Sequence, residues 1–272
     1  MSFSGMRVLS LESRRAAEMA QLIRMRQGEP FVAPSMREAP LDRNEEAFAF
    51  AEKLFVGHFE MLVLLTGVGT RLLRRVIEER YPPERFVEAL RAITVVARGP
   101  KPVAALREMG LTPALAAPEP NTWREVLQVT ERRPERRIAI QEYGKPSPEL
   151  VAGFRARGAE VTCVSVYQWD LPEDTGPLRE AARRVAAGEF DLAMFTTSIQ
   201  VDHLLRVAAE EGIEERVLEG LRKTRIASIG PVTSEALEEH GLHADFEPTH
   251  PKMGFLVQEA SERAKDWSRG KT

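Results

Sequence analysis

A single cysteine, Cys163, stands in 272 residues, so the chain cannot close an internal disulfide or build a cysteine-based zinc site. Long hydrophobic runs are missing as well. The longest are strand-sized, as in Met61-Leu62-Val63-Leu64-Leu65, far short of the ~18 apolar residues that span a bilayer. The opening Met1-Ser2-Phe3-Ser4-Gly5-Met6-Arg7 has no basic segment leading into an apolar one, so no secretory signal is expected. There is no basic excess either: 38 Lys and Arg face 41 Asp and Glu, a net charge of −3, which argues against a nucleic-acid partner. Several catalytic signatures are also lacking. H-E-x-x-H and G-x-S-x-G do not occur, and Gly99-Pro100-Lys101 lacks P-loop spacing. Gly67-Val68-Gly69 begins a G-x-G, but Leu72 stands where the dinucleotide fingerprint needs its third glycine. His58, His203 and His250 are scattered, and His240 with His243 flanks Gly241, which reads as an exposed helix end rather than a metal pair. No pair of carboxylates is marked out for glycoside chemistry.

What is present is ordinary in bulk and unusual in arrangement. The 43% hydrophobic content suits a chain that buries a core, and the length suits two domains or one large one. The expectation is a soluble, cytoplasmic protein. Sliding the chain against itself then exposes a repeat at an offset of 130 or 131 residues. Residues 8–11 and the helical run to Gly28 match residues 138–141 and the run to Gly158, with Arg7 on Arg137 and Glu12 on Glu142. Leu62-Val63-Leu64-Leu65-Thr66 falls on Leu192-Ala193-Met194-Phe195-Thr196. Gly99-Pro100 with Leu106, Gly110 and Leu111 falls on Gly230-Pro231 with Leu237, Gly241 and Leu242. Three matches in one order at nearly one offset indicate a duplicated domain.

Each repeated segment reads as strand, short turn, amphipathic helix. Aliphatic and β-branched runs at residues 94–96, 161–166 and 226–229 predict strands. Spacings of three and four, as in Met19, Leu22 and Ile23 or Leu204, Leu205 and Val207, predict helices. Gly28, Gly110, Gly158 and Gly241 stand where left-handed C-caps belong, and Ser147-Pro148 reads as an N-cap followed by a first-turn proline. Strands alternating with helices imply an α/β fold of two similar doubly wound parallel-sheet domains. The halves are either contiguous, 1–130 and 131–272, or interleaved. Linker-like composition at residues 34–42 and 167–176 favours interleaving: 1–36 with 173–272 as one domain, 44–165 as the other, and 37–43 and 166–172 as linkers. The basic run at residues 132–137 reads as a solvated loop.

Ligands of open parallel sheets bind beyond the carboxyl ends of the strands. The turns expected there are rich in glycine, proline and hydroxyl residues and poor in carboxylates. Facing one another across two domains, they would form a cleft lined with backbone N–H donors, suited to a ligand with many carboxylates. Thr197 and Ser198 read as ligand-binding hydroxyls rather than nucleophiles. Arg14, Arg71, Arg98, Lys101 and Lys145 lie in or beside these turns as local cations that would offset the acidic net charge. Tyr167, expected to end the strand at 161–166, is the candidate general acid, since a phenol with an ordinary pKa of roughly 10 is protonated at neutral pH.

In order, these turns resemble the uroporphyrinogen-III synthase family over nearly the whole chain. The likeness runs through Arg7-Val8-Leu9-Ser10-Leu11, Leu65-Thr66-Gly67-Val68-Gly69-Thr70-Arg71, Ala97-Arg98-Gly99 and Gln141-Glu142-Tyr143-Gly144-Lys145-Pro146. It continues through Val166-Tyr167-Gln168, Phe195-Thr196-Thr197-Ser198 and Ile229-Gly230-Pro231-Val232-Thr233-Ser234-Glu235-Ala236-Leu237. The resemblance implies interleaved domains joined by a two-stranded linker, no metal and no organic cofactor, a monomer, and no membrane or nucleic-acid partner. It implies cyclisation of hydroxymethylbilane with loss of water and inversion of the last pyrrole ring through a spiro intermediate, with Tyr167 as the acid. The residues it places on the substrate are Arg14, Thr66, Gly67, Val68, Gly69, Arg98, Gly99, Tyr143, Gly144, Lys145, Thr197, Ser198, Ile199, Gln200, Pro231, Val232 and Thr233. Arg14 comes later in its turn than the family's usual basic residue. The competing reading is a non-catalytic tetrapyrrole- or anion-binding regulatory protein of the same fold.

Overall fold

The chain runs β1 (Arg7–Ser10), α1 (Ala16–Met25), β2 (Glu29–Val32), β3 (Arg37–Pro40), α2 (Glu45–Phe55), β4 (Met61–Leu64), α3 (Gly67–Glu78), α4 (Pro83–Arg91), β5 (Thr94–Ala97), α5 (Pro100–Arg107), β6 (Leu115–Ala116) and α6 (Trp123–Val129). It continues β7 (Arg137–Gln141), α7 (Pro148–Ala156), β8 (Glu160–Val164), β9 (Tyr167–Asp170), α8 (Gly176–Ala186), β10 (Leu192–Phe195), α9 (Ile199–Glu210), α10 (Glu214–Lys223), β11 (Arg225–Ser228), α11 (Pro231–Glu239) and α12 (Met253–Trp267). The computed structural model describes residues 2–41, 44–142, 144 and 146–267.

These elements form two compact units, Met1–Arg37 with Asp170–Thr272, and Glu38–Trp169. The first holds a parallel sheet in the order β11-β10-β1-β2, the second a parallel sheet in the order β6-β5-β4-β7-β8. β3 and β9 pair separately, where the chain passes from one unit to the other and back. The α/β class and the interleaving expected from the sequence are therefore present.

The repeat acquires a spatial meaning in the strand orders. β11, β10, β1 and β2 of the first unit occupy the places of β5, β4, β7 and β8 in the second. In each sheet one strand from the early half of the repeat lies beside one from the late half. Two matching clamps mark these central pairs. Arg7 meets the Asp191 carboxylate through its main-chain N–H at 2.8 Å and its guanidinium at 3.0 Å. Arg137 meets Glu60 in the same way, at 3.1 and 2.9 Å. The second clamp corrects the sequence reading of residues 132–137 as one solvated loop: Arg137 opens β7 because Glu60 satisfies its first amide.

Alternation along the strands sends side chains to both faces of each sheet. In β10, Leu192 and Met194 pack on α1 and α12, while Ala193 and Phe195 pack on α8, α9 and α10. In β4, Leu62 and Leu64 pack on α2, α3 and α4, while Met61 and Val63 pack on α6 and α7. Each fully buried side chain of Leu or Phe size contributes about 1.5–3 kcal/mol, so the helix stripes at Met19 and Ile23 or Leu73, Val76 and Ile77 hold the layers together.

Three local expectations need correction. Gly110, Gly158 and Gly241 do take positive φ, but Gly28 does not; Gln27 is the left-handed residue, at φ 59°. Position 28 instead has no room, since an added Cβ would lie 2.8 Å from Ile23 Cγ2 and 3.0 Å from Phe3. Ser147 precedes α7 with Pro148 in the first turn, but its hydroxyl makes no capping bond. Tyr167 does not end a strand over 161–166. β8 stops at Val164, and Tyr167 opens β9, which pairs outside the main sheet.

Candidate functional site

Strand order reverses direction between β4 and β7 in one unit and between β1 and β10 in the other. Such reversals splay the following connections apart and leave a crevice at the carboxyl ends of the central strands.

In the unit Glu38–Trp169, the turn after β4 is built around Thr66. Its extended backbone, φ −141° and ψ 148°, makes it the N-cap of α3, and its Oγ1 accepts the Gly69 N–H at 2.9 Å. The N–H groups of Gly67 and Val68, in the first helical turn, have no intrahelical carbonyl to meet and point out of the helix end. Gly67 and Gly69 are buried and Val68 half-buried. Gly69 leaves the space that the carboxamide of Gln141 occupies, and a Cβ there would displace it. Gln141, wholly buried at the end of β7, has its oxygen 3.5 Å from the Thr66 amide and donates to the Glu142 carbonyl.

The turn after β7 meets the same cluster. The Tyr167 hydroxyl lies 3.2 Å from Thr66 Oγ1, and its ring sits edge-to-face with Trp169 at 5.4 Å and 86°. Gly144, at φ +86°, lets the turn close over both rings: a Cβ would stand 2.8 Å from Trp169 Cδ1 and 3.0 Å from Tyr167 Cε2. Glu142 is 8% exposed and accepts the Ser165 hydroxyl at 2.8 Å. Burial, and then Glu142, push the Cys163 thiol up to about 12. The structure thus brings together Thr66, Gly67, Val68, Gly69, Gly144 and Tyr167. After β5, half-buried Arg98 donates its amide to Leu64 at 3.0 Å, and buried Gly99 precedes the first-turn Pro100 of α5. Tyr143 and Lys145 lie outside the described residues. Arg71, expected as a local cation, forms a two-pronged pair with Glu108 at 2.8 and 2.6 Å, so its charge is already matched.

In the other unit, the turns after β1 and β10 are cross-linked. Thr196 donates its hydroxyl to Glu12 at 2.6 Å. Gln200, fully buried, accepts the Thr196 amide at 2.7 Å and donates to its hydroxyl at 2.9 Å. Thr197 is half-buried, Ser198 and Ile199 are buried, and Ser198 is already helical at φ −58°, ψ −38°. Arg14 is exposed one residue beyond Ser13, whose Oγ accepts the amides of Ser35 and Met36 at 3.0 and 3.1 Å. The Ser35 carbonyl in turn takes the Nδ1 proton of His203 at 2.7 Å, and burial lowers the pKa of that ring. After β11, the Ser228 hydroxyl donates to the Gly230 carbonyl at 3.0 Å, ordering the turn into Pro231, Val232 and Thr233, of which Thr233 is buried.

Sequence reasoning missed Trp169, Gln141, Ser228 and the roles of Glu12 and Glu142. Two signals were available: Glu12 and Glu142 coincide in the repeat, and Trp169 stands two residues after Tyr167, on the same face of a strand. Among the described residues no group of three His, Cys, Asp or Glu side chains is placed to hold a metal, and no helix is long and apolar enough to cross a membrane.

Comparison with known proteins bears on this geometry. Residues 17–258 match the model of the family described as uroporphyrinogen-III synthase HemD. A Bacillus subtilis protein, the uncharacterized YjjA, is 28% identical, covering 95% of this chain and 96% of its own length. A Methanothermobacter thermautotrophicus protein provisionally assigned as a uroporphyrinogen-III synthase is 28% identical over 85% of this chain and 87% of its own. The crystal structure of a mutant uroporphyrinogen III synthase from Thermus thermophilus superimposes with a TM-score of 0.74 at 25% identity, covering 96% of this chain and 99% of that one. With donor-rich turns at both strand reversals and a family match across most of its length, the chain belongs to the uroporphyrinogen-III synthase family.

Proposed function

We propose that the protein closes hydroxymethylbilane to uroporphyrinogen III, as a cytoplasmic monomer and without metal or organic cofactor. The observation that carries this reading is the contact of the Tyr167 phenol with Thr66 Oγ1 at the β4–β7 reversal. It sets a proton donor beside a helix end whose amides suit carboxylates. The acetate and propionate groups of the bilane would be held by amides and hydroxyls at Thr66, Gly67, Val68, Gly69, Gly99 and Gly144, and at Thr197, Ser198, Ile199, Pro231, Val232 and Thr233. Arg14, Arg98 and Lys145 would supply positive charge. Gln200 would act from beneath, by holding Thr196.

Tyr167 is only 1% exposed, whereas Thr66 is half-buried. The proton therefore passes from the phenol to Thr66 Oγ1, while the Thr66 hydroxyl gives its own proton to the terminal hydroxyl of the bilane. Water leaves, and the resulting azafulvenium cation is attacked by the substituted carbon of the last pyrrole ring. The spiro intermediate fragments and recloses with that ring inverted. Unaided, the bilane closes to isomer I, so most of the protein's contribution is to hold a conformation that favours attack at the substituted carbon.

Incubation with hydroxymethylbilane, followed by oxidation and separation of the isomers, tests the reading: isomer III is expected, and isomer I alone refutes it. The near-complete burial of Tyr167 favours a second reading, a non-catalytic tetrapyrrole-binding regulatory protein. Tight tetrapyrrole binding without turnover would select it.

A further inference from the structure

Tyr167 and Trp169 form an aromatic pair over the β4–β7 reversal, and the two rings are not equivalent. Tyr167 is buried and reaches the β4 turn through Thr66; Trp169 is half-buried and lies against the β7 turn at Gly144. Residues two apart on β9 share a face, so the half-buried Trp169 flanks the place where the Tyr167–Thr66 contact delivers a proton. No acid–base role is available to an indole carbon framework. Its electron-rich face instead attracts a cation, more strongly than a Tyr or Phe ring and more strongly still where water is excluded.

We propose that Trp169 stabilises the cation formed when the bilane loses its terminal hydroxyl, an inference that rests on the cyclising function above. A proton joins the hydroxyl oxygen, and the C–O bond breaks with its electron pair leaving on water. The adjacent pyrrole donates its nitrogen lone pair into the vacated carbon, giving an azafulvenium ion with the positive charge spread over the ring. The substrate pyrrole is neutral, so attraction to the indole face grows as the charge develops. An interaction that strengthens toward the transition state raises kcat and leaves KM nearly untouched. Gly144 contributes by the absence of a side chain: any Cβ there would push Trp169 out of register with Tyr167.

The test is single-turnover and steady-state kinetics on Trp169→Leu and Trp169→Phe, with thermal melting to verify folding. The Leu variant, similar in apolarity but without a π face, is expected to lose about tenfold in kcat with KM within about twofold of wild type, and the Phe variant to fall between. Should the Leu variant fail to fold, 5-fluorotryptophan placed at position 169 in a Trp123→Phe, Trp267→Phe background replaces it. Fluorine withdraws electron density at almost constant shape, so a fall in kcat without a change in melting supports the inference. Folded variants with wild-type kcat overturn it, as does a raised KM with kcat unchanged, which would mark packing against the neutral substrate. Wild type yielding isomer III while the Leu variant matches it defeats this inference alone; wild type yielding only isomer I defeats the cyclising function and this inference together.

Discussion

The oxygen of Tyr167 lies 3.2 Å from Thr66 Oγ1, the same atom that caps α3 by accepting the Gly69 amide at 2.9 Å. One hydroxyl thus orders the helix end and contacts the candidate acid. Tyr167→Phe is expected to leave folding intact and lower bilane turnover by about a hundredfold, within the range of general-acid catalysis. Turnover within about twofold of wild type would mean that the phenol is not the acid.

Thr66 separates capping from proton relay. Thr66→Ser keeps the hydroxyl and is expected to retain most activity, whereas Thr66→Val loses both relay and cap. The lost cap alone costs about 1 kcal/mol, measurable as a drop in denaturation midpoint. A Val variant with normal turnover would exclude the relay.

Gly144 and Gly69 each leave space that a neighbour occupies. Gly144→Ala must adopt φ near +86° and fit a methyl 2.8 Å from Trp169 Cδ1. It is expected to destabilise by about 1–3 kcal/mol and to lower turnover together with stability. Gly69→Ala drives its methyl into the Gln141 carboxamide and should cost a similar amount. Chemical denaturation checks both, and an alanine at either site without loss of stability would contradict the packing described.

Arg7 and Asp191 give a pH-dependent contribution of definite sign. The Arg7 hydrogen bond holds the Asp191 carboxyl below its ordinary value. A carboxylate with a lowered folded pKa stabilises above its unfolded pKa of about 3.9, and that stability fades as the pH falls through the folded value. Asp191 is 38% exposed, so solvent screening limits the pair to about 0.5–1 kcal/mol. The gap in melting temperature between wild type and Asp191→Asn is expected at neutral pH and to close only below about pH 4. A gap that widens on acidification would reverse the assignment.

Cys163 should be inert. With its thiol pushed up to about 12, almost no thiolate exists at neutral pH, and alkylation by iodoacetamide should be slow until the chain unfolds. Rapid labelling of the native protein at pH 7.5 would show the thiol to be open and activated.

How far the sequence is legible differs from residue to residue. The clamps of Arg7 with Asp191 and Arg137 with Glu60 lie at repeat-related positions, because a duplicated strand preserves the charge that opens it. Tyr167 was legible as a residue of interest but not as the first residue of β9. Residues 160–170 carry one continuous β-forming pattern, and periodicity contains no signal for the point where a strand leaves one sheet and pairs elsewhere. Arg71 read as a free cation for the same reason: Glu108 is distant in sequence and becomes its partner only when α3 packs on α5.

By itself, the order of residues determined the alternation of strand and helix, the duplication and the donor-rich character of the turns, because hydrophobic period, glycine and proline placement and repeat offset are local properties. Only the tertiary structure decided that β1 lies between β2 and β10, that Gly144 is closed by two aromatic rings, and that the Tyr167 hydroxyl meets Thr66. Those relationships arise from burying both faces of each sheet at once, a requirement that acts between residues well separated in the chain, as Thr66 and Tyr167 are by 101 positions, and leaves no mark on either segment alone.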